Sequence, residues 1–376
     1  MRFVLYTHSL VSDWNHGNAH FLRGVLRELQ ARGHPTLALE PADSWSRSNL
    51  LAAQGCAAAA RFTADFPELT SLTYDASFDH EAALDDADVV LVHEWTDPAL
   101  VARLGAMRRA GADFTLLFHD THHRGVSDRQ AIDAMALDGY DAVLAFGESL
   151  RERYLLQGWG RHVFTWHEAA DVRLFRPPAA ECARTGLIWI GNWGDGERER
   201  ELQEFLIEPA RTLDLPGVVH GVRYPAHALQ ALATTSLAYG GWIANADAPA
   251  AFARHRMTVH VPRRPYVEAL PGIPTIRVFE VLACGIPLVS APWNDNEQLF
   301  APGRDFLSVR DGAGMTAQLR ALDNDAAMRA EIARNGRAAI LARHTCAHRV
   351  DELLHILAAR GSTRVMRQVV QLEAVP

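Results

Sequence analysis

Lysine is absent. All 37 basic residues are arginine, which excludes chemistry that runs through a lysine amine: Schiff-base catalysis, pyridoxal-phosphate enzymes and the phosphate-binding P-loop. Cysteine is scarce and scattered. Cys56, Cys182, Cys284 and Cys346 form no CxxC pair and no metal-ligand spacing, so buried thiols in a reducing compartment are expected. No apolar run approaches the ~20 residues of a membrane span. The opening MRFVLYTHSL enters a strand pattern directly and lacks the apolar core of a signal peptide. A cytoplasmic chain without an integral membrane segment is the expectation. Positive charge is not in excess either: the formal net charge is −8. A nucleic-acid partner or an anionic membrane surface is therefore not favoured, although local arginine clusters can still bind phosphates.

What is present is an ordinary globular composition, 48% hydrophobic and 22% charged over 376 residues, a length that suits two domains. Residues 2–7 read as a buried strand, followed by a polar, glycine-containing loop over 8–18. A helix with Phe21, Leu22, Val25, Leu26 and Leu29 on one face stops at Gly33, and a second strand covers 36–40. This βαβ opening lacks GxGxxG, so a dinucleotide site is not indicated. Residues 41–85 read as irregular and alanine-rich, with one or two helices. Strands at 87–93, 114–119 and 142–146 alternate with helices near 98–111, 128–137 and 149–156, the pattern of a doubly wound α/β domain. Residues 172–184, with a proline pair, read as a linker. A second α/β unit follows, with strands at 187–190, 218–220 and 258–261. Helices are expected at 197–206, 228–233, from 296, and over 325–343 and 344–359. Residues 240–247 read as a loop, and the tail from Gly361 is expected to fray.

The most informative stretch is 274–292, PTIRVFEVLACGIPLVSAP. Thr275 can cap a short helix, Gly285 suits its left-handed end, Pro287 forbids continuation, and 286–290 has the length of a buried strand. At 100° per residue Val278, Phe279, Leu282 and Ala283 form the buried stripe, leaving Arg277, Glu280 and Cys284 on the other face. Two readings are open for Arg277 and Glu280: a surface i,i+3 ion pair, which local pattern favours, or a clamp for one ligand, the Arg on a phosphate and the Glu on sugar hydroxyls. Cys284 reads as a small buried residue. In 191–196, GNWGDG, small residues would let backbone N–H groups approach an anion, and an ordinary glycine turn fits as well. Arg198 and Arg200 read chiefly as a solvated helix face. Trp189 and Trp193 flank the glycine loop and could stack on a base, with core packing favoured for Trp189. The run His119-Asp120-Thr121-His122-His123 lacks the helical HExxH spacing of a zinc site, so no metal is expected there. His93-Glu94 also ends a strand and is a weaker candidate.

With these residues in view, the chain resembles the GT-B glycosyltransferases along most of its length. It is most similar to the retaining family-4-like enzymes and the bacterial spore-maturation, CgeB-like group. The resemblance rests on Arg277-x-Phe279-Glu280-x3-Cys284-Gly285-Ile286-Pro287-Leu288, continuing to Glu297-x-Leu299-Phe300-x-Pro302-Gly303-x-Asp305. His344-Thr345-x2-His348-Arg349 supports it, as does Asp13-Trp14-x2-Gly17-Asn18-Ala19-His20 followed by Arg23-Gly24. It implies two doubly wound, Rossmann-like domains facing across a cleft. Residues 1–170 would be the acceptor domain and 171–345 the nucleotide-sugar donor domain. Residues 346–376 would be a helix packing back toward the N-terminal domain, and a tail.

The implied activity is sugar transfer from a nucleotide-sugar donor to an acceptor that is a glycan, a protein or a small molecule, with the nucleotide-sugar as substrate and neither cofactor nor metal. Glu280 would hold the donor ribose. The nucleotide-sugar set would further include Gly191, Asn192, Trp193, Gly194, Arg198, Arg263, Gly272 and Ile276. His119, Asp120 and Arg277 are the catalytic candidates, with Asp120 a base only for an inverting reaction. Asp13, His16 and Gly17 stand on the acceptor side. The chain departs from the family at Gly272, eight residues before Glu280, where a second Glu is usual, and at Asn192, with no lysine to serve the first loop of the donor domain. Two alternatives stay open: a nucleotide-sugar epimerase or hydrolase on the same fold, and a non-catalytic sugar-nucleotide-binding protein.

Overall fold

The computed structural model describes residues 1–55, 57–180, 183–194 and 196–360. Cys56, Cys182 and the tail from Gly361 lie outside the described residues. The chain divides into two compact units. One comprises Met1–Glu168 with the helix Cys346–Ala359, and the other Ala169–Thr345.

The first unit is built on a parallel sheet of seven strands: β1 Phe3–Tyr6, β2 Thr36–Pro41, β3 Ser71–Tyr74, β4 Val89–His93, β5 Thr115–Asp120, β6 Ala142–Ala145 and β7 Val163–Thr165. Their order is β3-β2-β1-β4-β5-β6-β7. Every residue of β1, β4 and β5 is buried, as expected of central parallel strands covered by helices on both faces, which read as unbroken apolar runs. β3 was not expected. Its SLTY is half-exposed at the sheet edge and shows no apolar run. The stretch expected as one helix near 128–137 is broken into Arg124–Ser127, Arg129–Asp133 and a 3-10 turn, Leu137–Gly139.

The helix Ala19–Ala31 buries Phe21, Leu22, Val25, Leu26 and Leu29 and packs on Cys346–Ala359. Arg32 donates to the Ala347 carbonyl at 3.1 Å, and the Trp166 indole N–H donates to the Arg349 carbonyl at 2.8 Å. The chain's last described helix is thereby fixed to this unit.

The second unit carries a six-stranded parallel sheet: β8 Leu187–Ile190, β9 Gly217–His220, β10 Leu237–Gly241, β11 Met257–His260, β12 Leu288–Ser290 and β13 Leu307–Ser308, ordered β10-β9-β8-β11-β12-β13. The core is filled by Leu187, Trp189, Trp193, Phe205, Leu206, Val259 and Met315 among others. Three expectations are corrected. Residues 172–184 are not a linker, because the unit starts at Ala169 and Phe175 is fully buried. The expected loop over 240–247 begins inside β10, an edge strand whose glycines disguise it. No helix starts at Asn296. The Asp295 carboxylate instead accepts the N–H groups of Leu299 and Phe300 at 3.0 and 2.8 Å and holds the segment as a turn. The helix Glu199–Leu202 continues to Thr212 through a π turn, Gln203–Ile207, next to Pro209, which has no N–H to give.

Candidate functional site

In a doubly wound sheet the crevice lies where the strand order reverses, at the carboxyl ends of the strands. In the first unit that point is between β1 and β4, and histidines gather there. His8 and His16, in the loop after β1, have ring centroids 4.0 Å apart, and each lies 6.0 Å from that of His93 at the end of β4. His119, near the end of β5, is 5.5 Å beyond His93 and 4.8 Å from Trp166. Burial holds all four imidazoles neutral. It pulls His8 and His93 down to about 3, with His93 acting on His8 and Arg124 on His93, and it depresses His16 and His119 well below the usual histidine range.

Two carboxyls share this edge. Burial raises Glu94 to about 7; it accepts from the Thr121 hydroxyl at 3.0 Å and stands 2.9 Å from His93 Nδ1. Burial, with Glu94 adding to it, raises Asp120 to about 7. Asp120 accepts the His122 N–H at 2.9 Å on Oδ1 and the Tyr154 hydroxyl at 2.7 Å on Oδ2. Both oxygens are thus engaged with the protein, an anchoring geometry. Asp13 is likewise engaged, accepting from Arg23 at 2.9 Å with both side chains buried. Gly17, next to His16, gives its carbonyl to the His20 ring at 3.3 Å.

In the second unit the order reverses between β8 and β11. The loop after β8 carries Gly191, Asn192, Trp193 and Gly194. Asn192 accepts the Val222 N–H at 2.9 Å, and its carbonyl accepts Arg198 at 2.6 Å. Arg198 also donates to the Val261 carbonyl at 2.9 Å, bridging the loops after β8 and β11, and lies over the Trp189 ring at 5.2 Å. Gly194 has φ +104°, and a Cβ there would come 2.8 Å from Arg198 Cγ, so the arginine needs glycine beneath it. The expectation of a solvated Arg198 is corrected: burial, with Arg263 and then Arg277 contributing, lowers it to about 9. Trp193, 3% exposed, belongs to the core, which rules out the base-stacking role considered for it. Arg263 pairs with Glu197.

The helix Ile276–Ala283 brings Ile276, Arg277 and Glu280 to this region. Its expected outer face is not outside. Glu280 is 0% and Cys284 4% exposed, and Arg277 Nη1 donates to Glu280 Oε2. The surface-pair reading is therefore overturned, because the carboxylate of the pair is fully enclosed. Burial pushes the Cys284 thiol far up, consistent with a packing residue. Gly272 has φ +96°, and its missing Cβ would lie 3.2 Å from Glu297 Cγ and Oε1.

Sequence reasoning overlooked His8 and His260. His260 ends β11, bonds Ser290 Oγ at 2.9 Å and Thr275 Oγ1 at 3.2 Å, and is pulled to about 3 by burial and Arg198. Position was the available signal: each lies at or just past the carboxyl end of a central strand. Among the described residues no group of three His, Cys, Asp or Glu side chains could hold a metal ion, and no helix is long and apolar enough to cross a membrane.

Residues 198–355 match the profile of a family described as glycosyl transferase-like. No curated protein is significantly similar in sequence. Among solved structures, sucrose-phosphate synthase from Thermosynechococcus elongatus superposes with a TM-score of 0.65 at 14% identity, over 96% of this chain and 99% of its own. HepE of Anabaena, solved with UDP and glucose, gives 0.67 at 13% identity over 95% and 99%. An α-glucosyltransferase solved with UDP and a 13-mer DNA gives 0.69 at 10% identity over 95% and 99%. At such identities the likeness is one of fold. The chain has the fold of the GT-B glycosyltransferases: two parallel-sheet, Rossmann-like α/β units in one polypeptide.

Proposed function

We propose that this chain transfers a sugar from a nucleotide-sugar donor to an acceptor, by a retaining route that needs no metal. The observation that carries the reading is the gathering of Arg198, Arg263 and Arg277 at the switch point of the second sheet, the latter two near enough to add to the lowering of Arg198. As the anomeric bond loosens, negative charge accumulates on the departing diphosphate. Preset guanidiniums and the backbone N–H groups of a glycine loop and a helix start stabilise that charge. Arg277 takes the diphosphate and Glu280, one turn away, the ribose hydroxyls. Gly191 and Gly194 leave room for the Arg198 side chain, and Asn192 and Arg198 hold the loop. Ile276 opens the helix whose N-terminus faces the anion, and the buried Trp193 supports the loop from beneath.

His16 and Gly17 stand on the acceptor side. His119, enclosed behind His93, acts as a positioning residue for the edge where the reacting sugar lies. Asp120 anchors that loop, since a retaining reaction asks for no base there.

The test is a thermal-shift panel of UDP, GDP, TDP and their sugars, followed by nucleotide release with and without cell extract as acceptor source. UDP comes first because HepE and the α-glucosyltransferase were solved with it. Acceptor-dependent release supports the transferase. Acceptor-independent conversion would point to an epimerase or hydrolase, and binding without turnover to a sugar-nucleotide-binding protein.

A further inference from the structure

Resting on the donor reading, we infer that His260 is a positioning residue for the diphosphate: it holds the Thr275 hydroxyl and so keeps the first N–H groups of the helix Ile276–Ala283 open to that anion.

The direction of the bonds around His260 is fixed from one end. Ser290 Oγ lies 2.8 Å from the Ala291 carbonyl, which can only accept, so the Ser290 proton points there. Toward His260 Nδ1, 2.9 Å away, the same hydroxyl is then the acceptor, and Nδ1 carries the ring hydrogen. The opposite assignment would leave two oxygens 2.8 Å apart with no proton between them. Burial holds the imidazole neutral. Nε2 therefore keeps its lone pair, and the Thr275 hydroxyl, 3.2 Å away, donates to it.

That bond withholds Thr275 from the usual work of a threonine in its place. Thr275 precedes the helix with an extended backbone, φ −74° and ψ 155°. A threonine oxygen there ordinarily accepts the N–H of the second or third helical residue. Thr275 makes no such bond. The Val278 N–H goes to the Thr275 carbonyl at 3.0 Å, and among the described residues no acceptor takes the N–H of Ile276 or Arg277.

Further donors stand at the same place. Arg198, near enough to His260 to add to its depression, has a buried Nε with no hydrogen-bond partner. Arg277, the second residue of the helix, contributes in turn to the lowering of Arg198. Open N–H groups, the positive end of a helix and an unanswered guanidinium nitrogen together suit a group with several anionic oxygens, as a diphosphate is. A released Thr275 hydroxyl would cap the Arg277 N–H and put its own oxygen where a phosphate oxygen has to bind.

The experiment has two arms, both on the full chain. In 15N NMR of the imidazoles His260 is expected as the Nδ1–H tautomer, and the Nε2–H form would overturn the inference. In the second arm, His260→Leu should slow hydrogen exchange at the Arg277 amide and weaken UDP by about tenfold, the equivalent of one charge-assisted hydrogen bond. Uridine, which has no phosphate, should bind that variant as it binds the parent. Thr275→Val has no hydroxyl with which to cap. Alone it should bind UDP as the parent does, and added to His260→Leu it should restore both affinity and exchange. Loss of uridine together with UDP, or a double variant no better than His260→Leu, would reduce His260 to a packing residue. Tenfold weaker UDP in Thr275→Val alone would make the hydroxyl itself a ligand and overturn the inference as well. The tautomer and Thr275→Val decide even if His260→Leu fails to fold. Absence of UDP binding in the parent would sink the donor reading, and the tautomer and the Arg277 exchange would still decide the role of His260.

Discussion

Arg277 and Glu280 form an ion pair one helical turn apart, with the carboxylate fully enclosed and the guanidinium side chain 16% exposed. Breaking such a pair strands one charge in a poor solvent. Glu280→Gln should therefore cost about 2–3 kcal/mol, toward the lower end for a buried pair because Arg277 reaches water. It should also abolish the UDP thermal shift. Guanidinium unfolding separates the effects: a variant as stable as the parent that still binds UDP would remove Glu280 from both roles. Adding Arg277→Met should recover part of the stability and none of the binding.

The buried titratable groups of the first unit set a pH dependence whose sign can be worked out. His8, His16, His93 and His119 have folded values below their ordinary 6.5, so below that pH the unfolded chain takes up protons that the native one refuses. Each thus removes stability as the pH falls. Glu94 and Asp120, raised to about 7, act oppositely, because between their ordinary values and about 7 the native state keeps protons that the unfolded one loses. Four histidines outweigh two carboxyls. The thermal midpoint should be lower at about pH 5 than at about pH 7, and Asp120→Asn should steepen that fall. A midpoint at pH 5 equal to or above that at pH 7 would refute the assignment.

How far all this was legible in the sequence depends on what covered each residue. FVLY, VVLVH and LIWI announced central strands because burial on both faces leaves a continuous apolar run. SLTY and LAYGG did not, since edge strands carry polar residues and glycines. Glu280 was legible as a candidate but not as buried. A helical wheel assigns one inner face, and it cannot show that a residue off that face, such as Glu280, is enclosed by parts of the chain distant in sequence. The turn at Asn296 imitated a helix start because Asp295 caps N–H groups in either structure. The histidine cluster was hidden for another reason: His8, His93 and His119 are far apart in sequence and meet only through the strand order.

Tyr154 donates to Asp120 Oδ2 at 2.7 Å inside the first unit. Tyr154→Phe removes the hydroxyl and leaves a buried acceptor with one partner fewer, at a cost of about 1–3 kcal/mol. Asp120 should then hold its proton to higher pH, visible as an upward shift of its carboxyl titration in NMR. An unchanged titration would mean that the bond does not stabilise the ionised form.

Gly272 and Glu297 make the final prediction. Position 272 has a positive φ of +96°, a conformation that side chains rarely adopt, and its Cβ position lies 3.2 Å from Glu297 Cγ and Oε1. Gly272→Glu, which restores the residue usual in the resembling family, should therefore destabilise, by about 1–2 kcal/mol from the backbone alone, with crowding and like charge added. Glu297→Ala in the same chain removes the crowding and the charge, and should recover only that added part. Calorimetric midpoints for the two single variants and the double variant check this. Full recovery in the double variant would show that φ strain contributes nothing, and no recovery would show that Glu297 is not what the new side chain meets.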